Sequence, residues 1–319
     1  RSVAYWDLVQ GDELRGEATG AGTPKTPDRY RYVGQPVGRL DIPGIMTGRP
    51  VFLQDLHPEG VVHGQMVYPP SYGATLTALD PSPVEAMPGV LAVVRDGNFL
   101  GVVAEREDQA QTAATMLATL STWEERETMP AMEEFRDWLV SQPTTDVVHL
   151  DTVRTDGRAA AQTLSASYWR PFHMHASYGT SAAIGTYDEA ADALTIQTHS
   201  QSVWSTARAI AELTGMAPEN VRLQHVQAAG CYGHNMADDA AADVALLARG
   251  VPGRPVRLQY SRAQEHKWEP YGSAMVGEVT ATLAEDGSVL DYDYKVFSTP
   301  HGTRPGGSAG NLLAGRHLA

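Results

Sequence analysis

Apolar residues come in short runs along most of this chain, and their spacing predicts a mixture of strands and helices. Gly89 to Glu105, GVLAVVRDGNFLGVVAE, has two runs of Val, Leu and Ala around Asp96-Gly97-Asn98. That pattern predicts two buried strands joined by a tight turn. The next stretch, REDQAQTAATMLATLSTW, sets Ala110, Ala113, Ala114, Leu117 and Leu120 at helical spacing. Upstream, VFLQDLHPEGVVHGQMVYPP reads as two strand-like runs, and AMEEFRDWLVSQ predicts a helix on which Met132, Phe135, Trp138 and Leu139 share a face. TLSASYW and SAAIGTYDEAADALTIQTHS predict strands, the latter folded back at Asp188 to Asp192. SVWSTARAIAELTG predicts a helix closed by Gly215 as its C-cap. ENVRLQHVQA alternates Val221, Leu223 and His225 with polar neighbours, a half-buried strand running to about Ala228. RPVRLQYS is a further strand, and MVGEVTATLAEDGSVLDYDYKVFS a hairpin turning at Asp286-Gly287.

These elements predict an α+β chain in two units. Residues 1–29 read as a lead-in, because GEATGAGTPKTPDRY is rich in Gly, Thr and Pro without apolar period. A mixed α/β unit then spans 30–124, a charged connector 125–158, and a second unit 159–319. Composition adds limits. The 319 residues carry a net charge of −14, which argues against non-specific binding to nucleic acid or an anionic membrane. A single cysteine leaves no disulfide framework, CxxC metal site or iron–sulfur cluster within the chain. No apolar run approaches the roughly 20 residues of a membrane span. The chain begins at Arg1 without a signal-peptide pattern, so it is expected to be a piece of a longer polypeptide or a processed product. That leaves cytoplasm and periplasm equally open.

One stretch concentrates the candidate chemistry. After the strand near Ala228 comes Gly230-Cys231-Tyr232-Gly233, then His234-Asn235, then an alanine-rich helix from about Ala237. Glycines let backbone N–H groups approach a ligand closely, and a helix N-terminus adds free donors. The alternative is a sharp turn with no ligand. Asp238 and Asp239, as acids of the first helical turn, would repel a phosphate laid directly on them, so a ligand meets the loop first. Neither GxxxxGK[ST] nor GxGxxG is present. His173, His175, His199 and His234 fall near this stretch, and His173-Met174-His175 on a strand would set both rings on one face. No HExxH occurs and no third and fourth ligand stands at a recognised spacing, so zinc chemistry is not expected. Glu265 and Glu269 read as solvated acids near a strand end, and Cys231 as an inert buried thiol.

VQAAGCYGHNMADDAAADVALLARGVPGRPVRLQYSRAQEHKWEP resembles the molybdopterin-binding large subunit of the xanthine dehydrogenase and aldehyde oxidase family, in its bacterial nicotinate and isoquinoline dehydrogenase branch. The resemblance continues through PFHMHASYGTSAA, THSQSVWSTARAIAELTG and HGTRPGG. YVGQPVGRLDIPGIMTGRPVFLQDL, VVHGQMVYPP and MPGVLAVVRDGNFLGVVAE look like that family's α/β hammerhead domain. What this implies is a hammerhead domain followed by the first part of a molybdopterin-binding domain.

The implied function is a hydroxylase that takes oxygen from water and acts on an N-heteroaromatic compound or an aldehyde. Molybdenum is implied on the dithiolene of a pterin cofactor, in the cytosine dinucleotide form, with no direct protein ligand. The implied partners are a second cofactor-binding half and a subunit carrying [2Fe–2S] clusters. By position, Gly230, Cys231, Tyr232, Gly233, His234 and Asn235 match the family's glycine-rich loop, and Gln201 matches its glutamine beside the metal's oxo ligand. Tyr232 and His175 are implied in the substrate pocket. The family's late catalytic glutamate has no counterpart here, and neither Glu265 nor Glu269 belongs to its motif. The second reading is a catalytically incomplete segment that acts only as a cofactor-binding or interaction module. An incomplete domain is expected to leave an apolar face uncovered.

Overall fold

The computed structural model describes residues 19–152, 157–302 and 307–318, with four isolated positions before residue 19. Most of the expected lead-in and most of the HGTRPGG motif therefore lie outside the described residues. Contacts divide the chain after Arg49. In Arg1–Arg49 the described residues form a single turn at Pro27–Arg29 and a short helix α1, Ile42–Met46, and none of them is buried.

Pro50–Ala319 is one compact unit. Its described elements are, in chain order, β1 (Val62–Met66), β2 (Thr75–Ala78), α2 (Ser82–Glu85), β3 (Val90–Asp96), β4 (Phe99–Ala104), α3 (Glu107–Leu120), β5 (Thr122–Glu124) and α4 (Phe135–Ser141). There follow β6 (Gln162–Arg170), β7 (Ala182–Asp188), β8 (Ala193–Thr198), α5 (Val203–Thr214), β9 (Val221–His225) and α6 (Ala237–Arg249). The last are β10 (Val256–Gln259), α7 (Arg262–Trp268), β11 (Met275–Leu283), β12 (Val289–Ser298) and α8 (Leu313–His317).

The central sheet has the order β3-β4-β1-β10-β7-β8-β9. It joins strands from both expected segments, because β1 pairs with β10 in parallel from Val62↔Val256 to Gly64↔Leu258. Helix α6 crosses this sheet at close range. Ideal Cβ atoms built on Gly64 and Gly101 would lie 2.7 Å from the Leu247 methyl carbons, and one on Gly185 3.0 Å from Val244. Bare strand positions and an alanine-rich helix thus fit each other. Each Leu, Ile or Val buried around them contributes about 1.5–3 kcal/mol from removed apolar surface. The helix also carries Asp238, Asp239 and Asp243 into the interior.

The smaller sheet, β12-β11-β6, covers α4 with one face through Phe135, Leu139, Val276 and Phe297. Its other face aligns Leu164, Tyr168, Val279, Tyr292, Tyr294 and Val296 by register. Tyr168 there is 67% exposed and Tyr294 56%, so this face is uncovered and largely apolar.

Three local expectations change. Of the two strand-like runs before Pro69 only Val62–Met66 is a strand, because Leu53–Asp55 closes a tight turn capped by Asp55. Met132 is exposed and precedes α4, which starts at Phe135. His173 and His175 are not on a strand: His173 makes an isolated bridge to Gly272 and is exposed, while His175 is partly buried.

Candidate functional site

Strands β1, β10, β8 and β9 run in one direction and end at the same edge of the sheet, with β7 starting there antiparallel to its neighbours. The crevice outside the carboxyl ends of strands is where such sheets place ligands. Three connections meet at this edge: residues 171–181 before β7, 199–202 after β8, and 226–236 between β9 and α6. Val226 N–H donates to the Thr198 carbonyl at 2.8 Å, so strand hydrogen bonding stops just past His225 and short of Ala228.

The 226–236 loop is shaped by backbone that side chains resist. Tyr232 has φ 48° and Gly233 φ 144°. Ala176, in the facing loop, has φ 54°. Non-glycine residues in this region cost of order 1–3 kcal/mol and gather at functional sites. A methyl group on Gly233 would overlap the His175 imidazole, and one on Gly179 would come within 3.2 Å of the Ala229 methyl. The loops therefore touch through their barest positions. The Tyr232 ring folds over Gly230 and is 70% exposed. Cys231 is partly exposed, not buried, and its thiol donates to the Gly233 carbonyl at 3.2 Å.

His234 and Asn235 point inward instead. Asn235 donates to the Gly230 carbonyl at 3.2 Å and accepts from Ala237 N–H at 3.1 Å, closing the loop on the start of α6. His234 Nε2 lies 3.0 Å from Asp238 Oδ2, whose other oxygen accepts from Thr206 at 3.2 Å. Thr206 in turn meets Ser200 at 3.1 Å, next to the exposed Gln201. A buried polar chain thus ties the Gln201 turn to the glycine loop. His199 accepts from Ala182 N–H at 3.3 Å, and burial lowers its pKa to about 4.

Helix α7 closes the site from the third side. Its N-terminus carries a capping box of Ser261 and Gln264. Glu265 and Glu269 are not solvated acids near a strand end: they are 0% and 1% exposed, on and just past this helix. Glu265 accepts from Ser181 N–H at 3.1 Å, Ser181 Oγ at 2.8 Å and Met236 N–H at 3.5 Å. Burial raises its pKa despite the Ser181 hydrogen bonds. Glu269 accepts from His175 N–H, and its Oε1 is 3.6 Å from His175 Nδ1. His175 Nδ1, Ser177 Oγ and Glu269 Oε2 are buried without a hydrogen-bond partner. Bare backbone, positive-φ residues and buried polar atoms without partners thus meet at this edge, a donor and acceptor set that a polar ligand would fit. Among the described residues no group of three or more His, Cys, Asp or Glu side chains is placed to hold a metal ion.

The family model of the molybdopterin cofactor-binding domain matches residues 142–308, which include all three loops. The chain belongs to that family. Within it, the chain is 35% identical to a nicotinate dehydrogenase subunit of Pseudomonas putida over 94% of its own length and 26% of that protein. It is 24% identical to the aldehyde oxidoreductase molybdenum-binding subunit PaoC of Escherichia coli, over 88% of this chain and 41% of that one. The chain thus spans between about a quarter and two fifths of these relatives. The structure of quinoline 2-oxidoreductase from Pseudomonas putida 86 shares the fold, with TM-score 0.64 at 17% identity, over 82% of this chain and 38% of that one. Aldehyde oxidoreductase from Desulfovibrio gigas does so with TM-score 0.65 at 18% identity, over 81% and 33%. The likeness to molybdenum hydroxylase large subunits seen in the residues therefore holds.

Helix α7 is not among the elements expected from the sequence. Its signal is present all the same: Ser261-x-x-Gln264 marks a helix start, and Arg262, Glu265 and Glu269 then fall on one face. The exposed aromatics Tyr178, within the 171–181 loop, and Trp204, just past the 199–202 loop, are likewise unanticipated.

Proposed function

We propose that this chain forms one wall of the cofactor site of a molybdenum hydroxylase, which oxidises an N-heteroaromatic compound or an aldehyde with water as the oxygen source. The reading rests on the Gly230–Gly233 loop, whose strained backbone meets His175 at the strand-end edge inside the family-matched residues. The cofactor, in its cytosine dinucleotide form, supplies two-electron redox chemistry at molybdenum. The chain's own residues bind and orient. Backbone amides of Gly230 to Gly233 approach the ligand, which bare positions permit. The Gln201 side-chain amide donates to an acceptor atom of the cofactor. The exposed Tyr232 ring packs against a flat heterocycle. His175 borders the substrate side, and His234 and Asn235, pinned to Asp238 and Gly230, hold the loop in shape.

The whole protein, in this reading, has a hammerhead domain at 30–124 after a lead-in at 1–29, a connector at 125–158 and a first cofactor-binding domain at 159–319. The base and the second cofactor-binding half would come from further polypeptide of the same protein or from a second cofactor-binding chain, and a [2Fe–2S] partner would take up the electrons. The relatives' greater length favours a second reading for the chain by itself: a cofactor-docking module without turnover. Among the described residues no helix is long and apolar enough to cross a membrane.

Molybdenum and released pterin, measured in the purified chain together with any co-purifying protein, test the reading. Near-stoichiometric cofactor with partner chains is the expected result for a working subunit. Cofactor without turnover supports the module. Neither molybdenum nor pterin, in the chain or in its complex, overturns both.

A further inference from the structure

Helix α7 presents three charged side chains to the two loops that carry the strained backbone. Arg262 donates to the Ser177 carbonyl at 2.6 Å and to the Tyr178 carbonyl. Glu265 holds Ser181 and the Met236 amide, and so spans the start of β7 and the start of α6. Glu269 takes the His175 amide, and His175 is the residue on which Gly233 rests. These positions, i, i+3 and i+7, share one helical face. The opposite side of α7 is unrelated to the loops: Ala263, Gln264, Lys267 and Trp268 line a separate cleft of about 740 Å³.

Burying two carboxylates four residues apart is costly. Each loses solvation, and like charges at this spacing repel. Apolar residues would stabilise the helix at a smaller cost. Glu269 even keeps Oε2 without a partner. Stability is therefore a poor account of this pair, and the groups that they hold are all loop amides and hydroxyls at the candidate site.

We propose that Glu265 and Glu269 are positioning residues, a two-point clamp on α7 that fixes the Gly230–Gly233 loop and the His175 loop in the geometry that receives the cofactor. The clamp's role toward that ligand rests on the cofactor reading above, but its hold on the loops does not.

The test is hydrogen–deuterium exchange on the full chain, read at residues 226–236 and 174–182, for wild type, Glu265→Gln, Glu269→Ala and the conservative Glu269→Gln. Leu117→Ala, in the core between α3 and the sheet, serves as the control for general destabilisation. Glu265→Gln replaces one carboxylate oxygen with an NH2, which in either orientation faces Ser181 N–H or Met236 N–H, donor against donor, and Glu269→Ala removes the acceptor of the His175 amide. Each is expected to speed exchange about tenfold or more in the two loops, with rates elsewhere unchanged. Glu269→Gln keeps an acceptor and rescues most of that protection. Leu117→Ala lowers the melting temperature without selective exchange in the loops. Wild-type exchange in the loops of both Glu265→Gln and Glu269→Ala, or a rise spread evenly over the chain, overturns the clamp. If Glu265→Gln does not fold, the contrast between Glu269→Ala and Glu269→Gln decides alone. Molybdenum and pterin content of the same samples is read separately. A wild-type protein without cofactor defeats the cofactor reading and leaves the exchange result standing as evidence on the clamp.

Discussion

Gly233 lies with its α-carbon directly against the imidazole of His175, so that no side chain can stand between the two loops. Its φ of 144° is also one that L residues rarely adopt. Gly233→Ala is expected to push the loops apart at a cost of about 1–3 kcal/mol. Cofactor content should fall by most of its value while the far end of the sheet, around β3 and β4, keeps its exchange protection. Unchanged molybdenum and pterin in the variant would show that the contact is not part of the cradle.

Tyr232 offers the opposite trade. At φ 48° it holds a left-handed conformation that glycine adopts freely. Tyr232→Gly is expected to raise the denaturation midpoint of the chain, or lower it only slightly, since about 1 kcal/mol of backbone strain is relieved. Binding of a flat heterocycle should weaken, because the exposed ring is lost. Calorimetry on the same variant reads both effects, and a marked loss of stability would refute the strain argument.

Buried titratable groups set a pH dependence. Burial raises Asp239 to about 8 and Asp243 to about 7. In the fold these carboxyl groups hold protons that the unfolded chain has released, so they favour unfolding as pH climbs from about 4 towards 8. His199 and His317 are lowered by burial from 6.5 to about 4, and they act oppositely, costing stability as pH falls below 6.5. The two trends offset each other between about 4 and 6.5, and only the carboxyl trend remains above. Stability is therefore expected to drop by on the order of 2 kcal/mol between pH 6.5 and 8. Asp243→Asn, which keeps an acceptor for Tyr260, should flatten part of that slope. Urea titrations at several pH values check it; a slope that is flat, or rises with pH, contradicts the assignment.

The uncovered face of β12-β11-β6 should make the isolated chain self-associate. Tyr168, Tyr292 and Tyr294 stand together on it with Leu164 and Val296. A lysine at position 294, as Tyr294→Lys, is expected to shift the chain towards monomer in light scattering without changing its circular dichroism. Equal masses for variant and wild type at matched concentration would mean that the face does not drive association.

Local elements are legible in the sequence where one periodicity rules. The turn at Asp96 to Asn98, the Gly215 cap at φ 68° and the buried alanine helix all follow from short-range pattern. The glycine loop is legible because its composition is unusual. Pairing at long range is not. Nothing in VVHGQM says that its partner is PVRLQ, nearly two hundred positions away, so that one sheet takes strands from both sides of residues 125–158. The burial of Glu265 and Glu269 is hidden for a related reason: acids are mostly exposed, and only the arrival of Ser181, Met236 and His175 around them explains it. Alternation over His173-Met174-His175 points to a strand, yet three residues are too few to separate a strand from an irregular loop.

The parallel pairing of β1 with β10 also has a consequence in time. Val62 must wait for Val256 before that part of the sheet closes. During synthesis the strands around β1 and β4 emerge with one side open, and the helix that covers Gly64 and Gly101 does not yet exist. Non-local pairing of this kind makes folding slow and leaves apolar strands accessible meanwhile. That apolar surface stays open until α6 and β10 have both been made, so the order of synthesis holds back closure of the sheet until the chain has passed residue 259.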